Sequence, residues 1–273
     1  MIKDEVLQGK ARLDILTAAH NSGKTGAHIA PSLSDVDICL AVLLYMNNET
    51  NSFILSKGHG ALGYYAAMHQ LAMITDEQFA SFETNGGEFP GQPSKNINNH
   101  IEYSSGSLGM GLSYALGVAL AKKKTQGTKK AQGIQKTQGT VYVIVGDGEL
   151  NEGSNWEAAN LANIYGLDNL IVIVDNNTLQ SDGRCENIMK QDLMALWNAH
   201  GWCVKECNGH SLSEISTAIK CEHNNKPLVI LAKTIKGKGV SFMENNNAWH
   251  HAVLKDEDYD KAVQEIKINY ELR

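Results

Sequence analysis

Two apolar runs constrain this chain more than any other feature. VYVIV (residues 141–145) and LIVIV (170–174) are apolar or aromatic at every position. A strand with one wet face alternates apolar and polar side chains, whereas a strand apolar throughout is covered on both sides. A third run, PLVILA (227–232), has the same character, and helix-like segments lie between the runs. This pattern predicts an α/β fold: a three-layer, doubly wound parallel sheet with helices on both faces. In such sheets ligands bind beyond the carboxyl ends of the strands.

Those ends carry polar residues. The first run stops at Gly146-Asp147-Gly148 and the second at Asn176-Asn177, with 27 residues between the two motifs. A helix over about 152–165 would make the unit β-α-β and bring Asp147 and Asn177 to one sheet edge. A carboxylate and an amide oxygen are hard ligands that suit magnesium or calcium, not zinc. Magnesium keeps few protein ligands and shares phosphate oxygens, and flanking glycines let a phosphorylated group approach the backbone. Either motif alone reads as a turn or a strand exit; the pair on consecutive apolar strands points to a metal-diphosphate site.

The chain has 273 residues and shows no internal boundary, so a single domain over 1–273 is expected. A formal net charge of -6 gives no basic field to gather nucleic acid. No run of about 18 apolar residues predicts a membrane span. The amino terminus, MIKDEVLQGKARLDIL, lacks a signal-peptide core, which implies a cytoplasmic protein. Five scattered cysteines (39, 185, 203, 207 and 221) read as free thiols rather than a disulfide framework.

Helical periodicity covers Lys3–His20, and Ser34-Asp35 offers a cap for the apolar DVDICLAVLLYM. SKGHGALGYYAAMHQLAM (56–73) and GSLGMGLSYALGVALAKK (106–123) each lead from a glycine loop into a helix, and the tail from Asp256 reads as a terminal helix. Residues 123–140 form three six-residue units, KKTQGT, KKAQGI and QKTQGT, whose only large apolar residue is Ile134. This composition cannot pack a core and reads as an expanded surface loop, either a solvated linker or a lysine-rich contact for a phosphate or acidic partner.

GDG with NN at this distance resembles the signature of thiamine diphosphate enzymes, and the wider pattern resembles the transketolase family. GDGELNEGSNWEAANLA is similar to its cofactor motif and LSKGHG (55–60) to its histidine loop. SSGSLGMGLSYALGVALA (104–121) is similar to its cofactor-lining glycine segment, and KTIKGKGVSFMENNNAWH (233–250) to its histidine-ended segment. The resemblance implies thiamine diphosphate with Mg2+, or Ca2+ or Mn2+ in its place. Asp147, Asn177 and the carbonyl of Leu179 would hold the metal. His59 and Gly148 would lie along the diphosphate, His250 would reach both diphosphate and reacting centre, and Gly106 and Leu108 would meet the aminopyrimidine. His28 aligns with a substrate-facing histidine, and His28, His59 and His250 would be the catalytic set. Glu152 and Glu157 would belong to an acidic network joining paired cofactor sites. On residue type alone each histidine reads as a loop or packing residue, and only the resemblance gives it a catalytic role.

The resemblance has one departure within the substrate region. Gly91-Gln92-Pro93 stands where the family usually has Gly-His-Pro, a histidine that bonds the donor sugar. Gln92 still donates and accepts hydrogen bonds but does not titrate near neutral pH, which implies an altered donor or acceptor, or a slower reaction on the usual ones. A second glycine-rich domain with the catalytic glutamate does not fit in the tail after the last motif. The chain therefore resembles the N-terminal subunit of a split transketolase, active with a C-terminal partner in a two-plus-two heterotetramer. Ketol transfer from a ketose or its phosphate to an aldose is the implied reaction. The competing readings are a specialised-carbohydrate relative, a 2-oxoacid dehydrogenase subunit, a deoxyxylulose-phosphate synthase, and a non-catalytic cofactor-binding scaffold.

Overall fold

A computed structural model describes residues 3–46, 50–131 and 139–272. In chain order the elements begin with α1 (Asp4–Asn21), α2 (Ile29–Tyr45), β1 (Ser52–Leu55), α3 (Ala61–Gln70), α4 (Asp76–Ala80) and α5 (Gly111–Ala131). They continue with β2 (Val141–Gly146), α6 (Gly153–Ile164), β3 (Leu170–Asn176), α7 (Cys185–Ile188) and α8 (Leu193–Ala199). The chain closes with β4 (Cys203–Asn208), α9 (Leu212–Ile219), β5 (Leu228–Lys233) and α10 (Asp256–Asn269).

The five strands form one parallel sheet in the order β1-β2-β3-β5-β4. Alternate side chains feed two separate cores, as the pleat requires. Tyr142, Ile144, Ile171, Ile173, Leu228 and Ile230 pack with α1, α2, α3, α9 and α10. Val141, Val143, Val145, Val172, Val174 and Leu231 pack with α5, α6 and α8, where Trp197 is fully buried. The expected three-layer α/β sheet is therefore present. It contains two strands that the apolar runs did not announce, β1 and β4.

Two expectations are corrected. Helix α2 starts at Ile29 rather than near Asp35, with Pro31 in its first turn, where a missing N–H costs nothing. Ser34 and Asp35 are not caps; both side chains are fully buried inside the helix. The expected loop over 123–140 begins later than its composition implied, because α5 continues to Ala131. Lysine, glutamine and alanine are good helix formers, and two lysines secure the extension. Lys122 Nζ donates to the Thr50 carbonyl, and Lys123 Nζ donates to the Gly166 carbonyl and sits 3.0 Å from Asp168 Oδ1. The remainder of the repeat, 132–138, lies outside the described residues. Among the described residues no helix is long and apolar enough to cross a membrane.

Candidate active site

The carboxyl ends of β1, β2, β3 and β5 bring four loops together. Strand β2 delivers Asp147 and β3 delivers Asn177, and both side chains are buried at 7% and 6% exposure. Asp147 Oδ1 accepts from Gly148 N at 2.7 Å, and its Oδ2 accepts from the backbone N–H of Thr178. Thr178 takes a left-handed φ of 66°, a costly state for a β-branched residue that aims this N–H at the carboxylate. Asn177 Oδ1 accepts from Leu179 N at 3.0 Å, while Nδ2 donates to Ser34 Oγ at 3.1 Å and Asp175 Oδ2 at 3.0 Å. Burial, then the neighbouring Asp175, pushes the Asp147 carboxyl up to about 7. A buried carboxylate, an amide oxygen and a nearby carbonyl suit a hard divalent cation, which would relieve the charge that burial penalises.

The three sequence-predicted histidines meet on the neighbouring loops. His28 is the cap residue of α2, His59 lies in a single turn between Gly58 and Gly60, and His250 follows the short turn Asn247–Trp249. Ring centroids are 6.2 Å apart for His28–His59 and 5.4 Å for both His28–His250 and His59–His250. Paired backbone bonds between Ala27 and Ala252, each 3.0 Å, fasten the first and last of these loops. They also bring in His251, 4.6 Å from His28, which the sequence alone did not single out. Burial first, and nearby positive groups second, lower His28 to about 4 and His250 to about 3, and hold His59 well below the ordinary value. All three are thus neutral imidazoles at pH 7, each with one donor and one acceptor nitrogen.

Two buried lysines sit beside this cluster and were also missed. Lys57 is 1% exposed and bridges Asp35 and Asp175, 3.1 and 2.5 Å from their carboxylate oxygens. Lys236 is 2% exposed and has no carboxylate partner among the described residues; its Nζ donates to the Gln180 carbonyl at 3.0 Å and reaches Asn247 Oδ1 at 3.5 Å. Burial, then Lys57, lowers its pKa to about 8. A buried ammonium so placed fits an anionic ligand such as a diphosphate.

Glu149, in the motif but given no role by the sequence pattern, holds three segments together. Oε1 accepts from Ser56 Oγ and from Gly109 N at 2.9 Å, and Oε2 accepts from Gly146 N at 3.1 Å. The histidine loop, the glycine segment and the GDG turn thus share one buried carboxylate.

Gln92 stands at the rim, exposed but close to the glycines. A Cβ at Gly58 would lie 2.7 Å from Gln92 Oε1, and one at Gly106 would lie 2.8 Å from it. Gly106 has a φ of 135°, and Gly106 and Leu108 are both exposed along this edge. A Cβ at Gly148 would meet Gln180 Cγ at 2.5 Å, so only glycine fits there without displacing that side chain. Glu152 packs on Gly109, and Glu157 is exposed on α6; among the described residues neither forms an ion pair with the histidines. Among the described residues, three buried polar atoms here lack a partner: His250 Nδ1, Gln180 Nε2 and Ser105 Oγ. Such atoms are costly unless a ligand meets them, so the residues present fit a phosphorylated, hydrogen-bonding cofactor. A cavity of about 510 Å³ opens beside Asp147, Thr178 and Cys185, but none of the histidines lines it.

Comparison with known proteins agrees with this geometry. Residues 17–272 match the family described as transketolase, thiamine diphosphate binding domain. An apulose-4-phosphate transketolase subunit of Actinobacillus succinogenes is 38% identical over 253 residues, spanning 89% of this chain and 88% of that protein. The 6-deoxy-6-sulfo-D-fructose transketolase subunit SqwG of a Clostridium species is 33% identical, spanning 96% of each. Transketolase from Leishmania mexicana superposes with a TM-score of 0.87 at 26% identity, over 99% of this chain and 42% of its own. The Campylobacter jejuni transketolase gives 0.81 at 29%, over 97% of this chain and 43% of its own. The chain belongs to the transketolase family, matching its thiamine diphosphate-binding domain along nearly its whole length and, in extent, those members that are themselves single subunits.

Proposed function

We propose that this chain is the diphosphate-side subunit of a two-chain transketolase, moving a two-carbon ketol unit from a ketose to an aldose. The observation that carries this is the convergence of His28, His59 and His250 next to Lys236 and the Asp147–Asn177 loop. Thiamine diphosphate, when bound, supplies the electron sink for breaking and remaking the carbon–carbon bond next to a carbonyl. Asp147, Asn177 and the Leu179 carbonyl are the residues to hold its divalent metal, with Mg2+ the best fit to hard oxygen donors. Lys236, His59 and the Gly148 backbone would face the diphosphate. His28 and His250, neutral at pH 7, would donate to substrate oxygens or accept their protons. Gln92 would bond the donor near its carbonyl end, and its lack of charge favours a donor outside the usual set.

The names of the separate-subunit relatives favour a donor among ketoses bearing a phosphate or sulfonate. Relatives named as subunits imply a second chain, which would carry the pyrimidine-side domain and the catalytic glutamate. Two copies of each chain would let exposed Glu152 and Glu157 couple paired sites. Free cysteines among the described residues are consistent with a reducing, cytoplasmic setting.

The test is ketol transfer by the chain combined with its partner, using ketose phosphates and a panel of aldoses. Transfer that depends on both chains and on thiamine diphosphate supports the reading. Asp147→Ala is expected to abolish metal-dependent cofactor binding, read by calorimetry, while circular dichroism stays native. Cofactor binding with no transfer to any aldose would favour a scaffold, and carbon dioxide release from a 2-oxoacid would favour the dehydrogenase class.

A further inference from the structure

Lys57 is a buried cation with no place in the chemistry proposed above, yet it contacts both sides of the site. Its Nζ lies 2.5 Å from Asp175 Oδ2, 3.1 Å from Asp35 Oδ2 and 3.3 Å from the Pro31 carbonyl. Asp175 Oδ2 also accepts from Asn177 Nδ2 at 3.0 Å, and Asp175 Oδ1 accepts from Ser34 Oγ at 2.7 Å and from Thr234 Oγ1. Each oxygen of the Asp175 carboxylate therefore accepts two hydrogen bonds, and its rotamer is fixed.

That fixed carboxylate decides how Asn177 is oriented. With Nδ2 against Asp175 and Ser34, Oδ1 turns to Leu179 N, on the side proposed for the metal. A flipped amide would set an oxygen 3.0 Å from the Asp175 carboxylate, acceptor against acceptor, and an NH2 against the Leu179 N–H. The same lysine holds the other loop. It immediately precedes Gly58-His59-Gly60, and its carbonyl accepts from Gly60 N at 2.8 Å.

We infer that Lys57 is a positioning residue that orients the Asn177 amide through Asp175 while anchoring the turn that carries His59. It touches neither substrate nor metal; it makes the placement of a metal ligand and of a catalytic histidine depend on one buried ammonium. Outer-layer partners of this kind typically change metal affinity about 10–100-fold when removed. The inference rests on the proposed metal role of Asn177, and its test separates the two.

The full chain is compared with Lys57→Met, which keeps most of the stem, and with Lys57→Met/Asp175→Asn. The double variant removes the ammonium together with the charge it faces, while the new amide oxygen still accepts from Asn177. The first measurement is hydrogen exchange of the Asn177 side-chain amide by NMR, without metal. Exchange is expected to be faster than native in Lys57→Met and to return towards the native rate in the double variant. Unchanged exchange in a folded Lys57→Met overturns the inference, whatever the metal does. If the single variant does not fold but the double variant does, the ammonium is needed to offset the Asp175 charge, which supports it; free Asn177 exchange in that folded double variant overturns it. The second measurement is Mn2+ affinity in the presence of thiamine diphosphate, by electron paramagnetic resonance. A parallel loss of about 10-fold, with recovery, supports it further. A native chain that binds no Mn2+ would sink the metal assignment and leave the exchange result to judge the positioning.

Discussion

Replacing Glu149 by glutamine is the most searching single test of how the site is held. The native carboxylate accepts from Ser56 Oγ, Gly109 N and Gly146 N and is 2% exposed. Glutamine has nearly the same shape but offers one acceptor oxygen and one NH2. Both carboxylate oxygens face a backbone N–H, so either orientation sets the NH2 against a buried donor. An unsatisfied buried N–H costs about 1–3 kcal/mol, and a remaining bond loses the extra ~1 kcal/mol that an ionised acceptor confers. One effect opposes this: burial holds the Glu149 carboxyl above its ordinary value, so a neutral side chain recovers part of the desolvation penalty. The expected net loss is ~2–3 kcal/mol, or roughly 5 °C in Tm for a chain of this size. Calorimetry gives the stability, and titration with thiamine diphosphate and Mg2+ should show weakened binding, because three site loops lose their common anchor. A Tm within about 1 °C of native, with unchanged cofactor affinity, would refute the claim that this carboxylate organises the loops.

The remaining predictions concern charge. Asp37 forms a bidentate pair with Arg12, 2.8 and 2.5 Å, and accepts from His210 Nδ1 at 2.7 Å. Burial alone would raise its pKa, but the Arg12 guanidinium prevails and holds it at about 2 against an ordinary 3.8. A depressed carboxyl stabilises the fold above its unfolded value and loses that contribution as pH falls through its folded value. The difference between native and Asp37→Asn urea stabilities should therefore shrink by ~2 kcal/mol between about pH 4 and pH 2, and a flat difference would contradict the pairing. Near neutral pH, Asp37→Asn should cost about 3–5 kcal/mol, since Arg12 stays buried without its counter-charge. Gln92→His, at the rim, should leave stability native and change the kcat/KM ratio between two donor ketoses by about 5-fold, the value of one hydrogen bond. An unchanged ratio would mean that Gln92 does not meet the donor.

What the sequence disclosed, and what it hid, follows from how each residue is used. Strands β2, β3 and β5 were legible because both faces are buried and their runs are apolar at every position. Strand β4 was not, because it is an edge strand whose Lys205 and Glu206 face solvent. Strand β1 was too short, at four residues, to show a pattern. Asp147 and Asn177 stand out in the sequence because they terminate apolar runs, and the structure sets their loops side by side through Thr178. The histidines needed the family resemblance: His28, His59 and His250 come from loops far apart in sequence, and no local spacing records that they meet. Lys57 and Lys236 were overlooked for the opposite reason. A lysine in a sequence is presumed solvated, and its burial depends on carboxylates or ligands contributed by other loops. Glu149 was in plain view between Asp147 and Asn151, but a turn of acidic residues gives no sign of which one points inward.

The way α5 ends also bears on how this protein can change over generations. Tandem six-residue units such as KKTQGT are prone to gain or lose copies when a gene is replicated. Here Lys122 and Lys123 of the helix tie down at Thr50, Gly166 and Asp168, near the amino-terminal ends of β1 and β3. Asp147 is at the far end of β2, whose six residues span about 20 Å. Strands that all run one way put a site at one end of the sheet and the attachments of α5 at the other, so a change in repeat copy number would enter the chain about one strand length from Asp147.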